Sequence, residues 1–375
     1  MIAFSSYSPG KGFAVLDALT RRCALDHEFG ADGAATITIP SSLRPAHPEA
    51  TGPEGLVIDV VAARNGGGAI VAGSYRGGWV VGEVTSRGRL DPTFARGGWS
   101  VLPFEGGVTA VLQEPSGRII IAGNQHASGC CTVNWAAALS ARGRLEHAFG
   151  RAGRVELPTG ESSGIERMAF EPNGDILVKV GHGNMGCWGT SLAMLTPSGQ
   201  PVPLFAERLS QFWQGLGLHA FVGDVYVEGE GFTLAGTGQK PCYDEPPGSK
   251  APATGLLARF RPDGELDGPT IRFPSRMYGT VNAFRDGGDT LLVEYPYSET
   301  GQVTVTARRA NGALDPRFGS LGRVEIHIPE RSREARATLE ILKAAPGEIS
   351  LVATLSEYSE PPPEAPEVKL IRLRL

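Results

Sequence analysis

Cys130, Cys131, Cys187 and Cys242 are four of the five cysteines in the chain, and they recur at intervals of roughly one sequence repeat. His126 precedes Cys130 and His182 precedes Cys187 within the same segments. Thiolate with imidazole is zinc-binding chemistry. Cysteines on neighbouring segments can equally form disulfides, provided their backbones approach closely enough. The C-x-x-C pair common in zinc sites is absent, and adjacent residues such as Cys130 and Cys131 rarely ligate one ion together. Cys23 stands where a turn motif elsewhere has Gly and reads as an inert turn residue.

A second group is acidic. Asp59, Arg167 and Asp224 align in apolar runs of successive repeats, together with Ala110 and Glu340. Carboxylates converging from neighbouring strands can hold a divalent cation through oxygen ligands and so activate water. That chemistry belongs to a metal-dependent, lactonase-like hydrolase working from a central channel. An arginine among the acids points instead to a water-filled hole of mixed charge. Trp188, Trp213 and Tyr243 fall in long connecting segments, where aromatic rings stack sugars or anchor peptides. There is no G-x-S-x-G elbow, no H-E-x-x-H helix and no sialidase-type S-x-D-x-G-x-T-W turn. Five tryptophans do not make the ladder a quinone dehydrogenase needs. No catalytic residue, resident metal or cofactor is expected.

The elements that would position these residues follow from composition and repetition. The 375 residues are 41% hydrophobic and 20% charged, with a net charge of −5. That balance suits a packed globule rather than a disordered chain. No Lys/Arg cluster stands out, which disfavours nucleic acid and anionic membrane as partners. No apolar stretch approaches the roughly 18 to 20 residues of a membrane span, so no membrane insertion is expected. The N-terminal MIAFSSYSPGKGFAVLD lacks a charged segment followed by an apolar one, so it does not read as a signal peptide. The 51 Gly and 28 Pro are spread among short β-rich runs and act as turn punctuation.

A motif, G-x-L-D-x-x-F-G-x-x-G-x-V, recurs through the chain. It begins at Leu25-Asp26 with Phe29 and Gly33, and returns at Gly88 to Phe94 with Gly98. It is sharp again at Gly143 to Gly150 with Gly153, and at Gly312 to Gly319 with Gly322. Worn copies run from Gly199 to Phe205 and from Gly264 to Asp267. Each interval repeats four β-signals: a short strand, an apolar run ending in a P-x-G or x-D-G turn, a β-branched strand such as Ile120 to Gly123, and an amphipathic strand such as Trp135 to Leu139. Helical periodicity is nearly absent, and Arg331 to Lys343 aligns with strands of the other units.

The expected fold is all-β: one β-propeller domain over residues 1–375, built of four-stranded antiparallel blades. A partial unit covers 1–24, followed by units at about 25–89, 90–144, 145–199, 200–265, 266–313 and 314–375. Seven blades, the first and last incomplete, leave no apolar strand unplaced. In the six-blade alternative, Ala35 to Pro40 completes the last blade and residues 1–20 are left over. The motif acids Asp26, Asp91, Asp267 and Asp315 are expected to accept backbone N–H bonds and fix their turns. Phe29, Phe94, Phe149 and Phe318 are expected to wedge between blades.

The L-D-x-x-F-G-x-x-G motif, the P-D/N-G turn and the I-x-V-A-G strand together resemble the bacterial delta-60 repeat family over nearly the whole chain. The match is sharpest around Asp91, Glu146 and Asp315. The resemblance implies a propeller-like repeat protein, secreted or attached to the cell envelope, and supplies no catalytic residues. It also implies an oxidising compartment, which favours disulfides among Cys130, Cys131, Cys187 and Cys242. The turns and motif loops should share one face. The long, individual links at Ser41–Gly55, Asn124–Asn134, His182–Thr190, Leu209–Leu218, Thr237–Gly255 and Tyr358–Glu367 should lie on the other. A non-catalytic binding scaffold for a protein or carbohydrate is therefore the leading functional expectation. A spacer within a longer polypeptide is a plainer one.

Overall fold

The computed structural model describes residues 2–6, 13–19, 27–31, 33–40, 42–43, 56–64, 67–126, 132–157, 163–184, 187–217, 220–239, 253–275, 281–286, 289–294, 302–327, 335–345, 348–357 and 367–374. Seven antiparallel sheets follow one another along the chain. The first holds β1 (Ile2–Ser6), β2 (Phe13–Leu19) and β3 (Ala34–Thr38); the second holds β4 (Leu56–Ala63), β5 (Ala69–Tyr75), β6 (Gly78–Val84) and β7 (Trp99–Glu105). The third is β8 (Gly107–Gln113), β9 (Ile119–His126), β10 (Thr132–Leu139) and β11 (Arg154–Glu156), and the fourth β12 (Ser163–Phe170), β13 (Ile176–Asn184) and β14 (Cys187–Leu195). After helix α1 (Phe205–Leu216) comes the fifth sheet, β15 (Ala220–Val227), β16 (Phe232–Gln239), β17 (Ala253–Phe260) and β18 (Ile271–Ser275). The sixth is β19 (Val281–Asp286), β20 (Asp289–Glu294), β21 (Gln302–Arg308) and β22 (Arg323–His327); the seventh is β23 (Ala335–Ala345), β24 (Glu348–Glu357) and β25 (Glu367–Arg374). The seven-sheet reading stands. Pairing of β3 with β2 removes the six-blade alternative, because Ala34–Thr38 completes the first sheet.

The chain forms two compact units: residues 1–170, 174–182 and 191–202, and residues 171–173, 183–190 and 203–375. Within the first, alternate residues of one strand enter two different cores, as a pleat with both faces covered requires. Ala69 and Val71 pack with Phe29, Ile37 and Trp99, whereas Ile70 and Ala72 pack with Trp79, Phe94 and Ile121. Ile120 and Ala122 face the next core, with Phe149, Ile165 and Val178. Burial on both faces explains the unbroken apolar runs of these second strands.

The repeated motif is the clamp between successive sheets. In each sharp copy the Phe amide donates to the carbonyl of the motif acid, as Phe94 N to Asp91 O at 3.0 Å, and the closing Gly donates back to the Phe carbonyl. The residue after Phe then donates to the motif loop of the following repeat: Gly30 N to Arg87 O at 3.0 Å, Ala95 N to Arg142 O at 2.9 Å, and Gly150 N to Ser198 O at 2.8 Å. Gly143, at φ +71, lies against the Phe94 ring so closely that a Cβ would stand 2.5 Å from its Cζ. The motif is thus a turn and a wedge, as its residue types require.

One expectation fails. Where the unit at 200–265 should open with a strand, the chain forms α1, and the fourth sheet has three strands instead of four. The reason is local: Phe205, Leu209, Phe212, Trp213 and Leu216 follow helical spacing, and Gly217 at φ +65 caps the C-terminus by donating to Gln214 O. Phe212 meets Phe260 edge-on at 4.9 Å, and Phe205 keeps the wedge position of the other motifs against Gly264. The stretch around Arg331 to Lys343, in contrast, is a strand from Ala335.

Candidate functional site

The motif acids are already engaged. Asp91 accepts from Thr93 N at 3.0 Å and Thr93 Oγ1 at 2.6 Å, and pairs with Arg64 at 3.3 Å. Glu146 pairs with Arg118 at 2.8 Å, and Asp267 with Arg259 at 2.9 Å. Asp315 takes the amide and guanidinium of Arg317 and, at 3.0 Å, Arg309. The Thr93 hydrogen bonds hold Asp91 below the usual carboxylate range, and the Arg317 guanidinium holds Asp315 well below it. Burial raises Asp289, whose carboxyl also hydrogen-bonds Asp315. Burial likewise raises Glu83, which is ion-paired to Arg64. Asp26 lies outside the described residues. Among the described residues no group of three or more His, Cys, Asp or Glu gathers as a metal site.

The channel candidates do not share one register. Opposite Ala72, Ala122, Lys179 and Ala235 on the second strands stand Val60, Ala110, Arg167 and Asp224. Asp59 is the extra residue of a β-bulge in β4, matched by bulge residues Thr109 in β8 and Glu166 in β12. Arg167 is exposed, and Glu166 pairs with the buried Lys179 at 2.9 Å. Asp224 is buried and accepts the Ala283 amide at 3.1 Å, which ties β15 to β19. Glu340 pairs with Val352 inside the seventh sheet.

Links between second and third strands all leave the end opposite the motif loops, as antiparallel pairing dictates. His126 ends β9 and pairs with Thr132; His182 in β13 pairs with Ser163. Cys187 and Trp188 begin β14. The link expected over His182–Thr190 is corrected to 185–186, because β13 and β14 run on through the rest. Trp213 is half-buried on α1, so the link expected over Leu209–Leu218 is mostly helix. Cys130, Cys131, Cys242 and Tyr243 lie outside the described residues.

A cluster that the sequence reading did not single out lies between the second and third sheets of the first unit. Trp79 and Phe104 meet edge-on at 5.6 Å. The Arg154 guanidinium sits 4.1 Å from the Trp135 ring centre and 5.2 Å from that of Phe104. Gly123, cross-strand from Trp135, makes the room: a Cβ there would meet Trp79 at 2.7 Å. The indole N–H groups of Trp79 and Trp135 are buried and have no acceptor among the described residues. Trp99, by comparison, donates to Thr38 O at 2.9 Å. The sequence signal was a tryptophan near the start of two successive third strands, each able to reach the Gly of a neighbouring second strand.

No family model matches the chain, and no curated protein matches it. No helix among the described residues is long and apolar enough to cross a membrane. Among solved structures, polysaccharide lyase Uly1 is similar over 100% of this chain and 88% of its own, at 11% identity and a TM-score of 0.50. The Dos1 propeller covers 97% of this chain and 83% of its own, at 10% identity and a TM-score of 0.46. A glucose dehydrogenase covers 85% of this chain and 99% of its own, at 14% identity and a TM-score of 0.42. With the successive four-stranded antiparallel sheets, the likeness to Uly1 shows one thing about this chain, its fold, which is a β-propeller.

Proposed function

We propose that this protein is a non-catalytic binding scaffold, holding a protein or carbohydrate at the end of the sheets opposite the motif loops. The observation that supports it is an asymmetry of connections. At the motif end the hairpins are uniformly short: 64–68, 114–118, 171–175, 228–231, 287–288 and 346–347. At the other end the corresponding links are 76–77, 127–131, 185–186, 240–252, 295–301 and 358–366, and so range from a tight turn to long segments. Variable links on a rigid framework are where binding residues usually reside. Disulfides among Cys130, Cys131, Cys187 and Cys242, and a location outside the cytoplasm, belong to the same proposal. They rest on the delta-60 resemblance.

The test is a glycan array and a panel of envelope proteins probed with the intact chain and with two variants. One variant has 240–252 and 358–366 cut to two-residue turns; the other carries Arg317→Ala and Arg261→Ala at the motif end. The first should lose binding at an unchanged melting temperature, and the second should keep it. Binding that survives the shortened links, or a stoichiometric divalent metal in the purified protein, would count against this function.

A further inference from the structure

Every polar group in the Trp79–Phe104–Trp135–Arg154 cluster is a donor. Arg154 presents a guanidinium held flat between two rings, and no carboxylate pairs with it among the described residues. Trp79, fully buried, and Trp135 add indole N–H groups without acceptors. A buried donor left unpaired costs about 1–3 kcal/mol, and an indole can only donate. Fixing an arginine over aromatic rings also orders a long side chain. Native structures seldom leave several such donors together unless something supplies the acceptors.

We propose that this inter-sheet cleft binds an oxyanion, the carboxylate or sulfate group of a small acidic ligand. The ligand's oxygens take hydrogen bonds from Arg154 and the two indoles. The guanidinium fork matches the planar spacing of such oxygens, and the rings behind it exclude water, which strengthens the pairing. Neutral ligands bring no charge to meet Arg154 and are disfavoured. The site draws on strands β6, β7, β10 and β11 and does not depend on the longer links, so it stands or falls apart from the function proposed above.

The experiment is titration of the full chain with sodium sulfate, glucuronate, glutamate and glucose at constant ionic strength. Binding is followed by tryptophan fluorescence and by calorimetry. Sulfate and at least one carboxylate should give saturable responses that compete with each other, while glucose gives none. The pattern of preference distinguishes a sugar acid, an amino-acid carboxylate and free sulfate as the source. Arg154→Met keeps the stem against both rings and should weaken binding about tenfold or more. Trp135→Phe, which keeps the ring and removes one N–H, should weaken it several-fold. Circular dichroism and melting temperature establish that both variants fold. No saturable response from the folded wild type, an equal response to glucose, or unchanged affinity in Arg154→Met would overturn the proposal.

Discussion

If the motif is a wedge between sheets, Phe94 and Gly143 must be energetically coupled although they belong to different repeats. Gly143→Ala has two costs. Its φ of +71 is left-handed, which costs an L-residue about 1–2 kcal/mol. The new Cβ would also stand 2.5 to 2.8 Å from three atoms of the Phe94 ring, an overpacking worth about 1–3 kcal/mol. Phe94→Ala, at 1% exposure, should cost about 3–5 kcal/mol through lost burial and a cavity. In the double variant the ring is gone, so only the backbone strain remains from Gly143→Ala. The combined loss should therefore fall short of the sum by about 1–3 kcal/mol. Urea unfolding followed by tryptophan fluorescence measures all four corners of the cycle, with constant slopes as the check on cooperativity. Losses that add within about 0.5 kcal/mol would refute the wedge.

Further expectations follow from single sites. Asp315 has a folded pKa below its ordinary 3.8, so its stabilisation is complete above that pH and drains away as acid titrates toward the folded value; Asp315→Asn should flatten the acid limb of a stability–pH profile. Asp289, raised by burial and by Asp315, has the opposite sign, and Asp289→Asn should make the protein more stable at neutral pH than in mild acid relative to the parent. Asp224→Ala leaves the buried Ala283 amide unpaired and should cost about 2–3 kcal/mol in denaturant melts. Leu321 is 77% exposed with φ +52, where another repeat has Gly97. Leu321→Gly should raise stability by about 0.5–1 kcal/mol, and a lower midpoint would show that the leucine packs usefully.

Much of the architecture was readable because it is local chemistry. Gly at positive φ, a turn acid accepting its own backbone and a Phe at constant spacing announce the same loop wherever they occur. The helix was also readable: Phe205, Leu209, Phe212, Trp213 and Leu216 carry helical spacing, but repeat alignment argued for a strand and prevailed. Bulges were not readable. When both faces of a strand are apolar, an extra residue leaves no break in the pattern, so Asp59 was aligned with Ala110, one register position away from its true counterpart, Thr109.

The order of strands, the turn chemistry and the wedge role of the motif were thus determined by the sequence alone, since each depends on residues a few positions apart. Which side chains meet across sheets was decided by tertiary structure alone. Arg154 reaches Trp135 and Phe104, and Trp79 settles over Gly123, only because strand register and sheet packing bring distant residues to one place. Nothing in the local pattern of any one strand encodes that meeting, and the cleft it creates depends on all of them together.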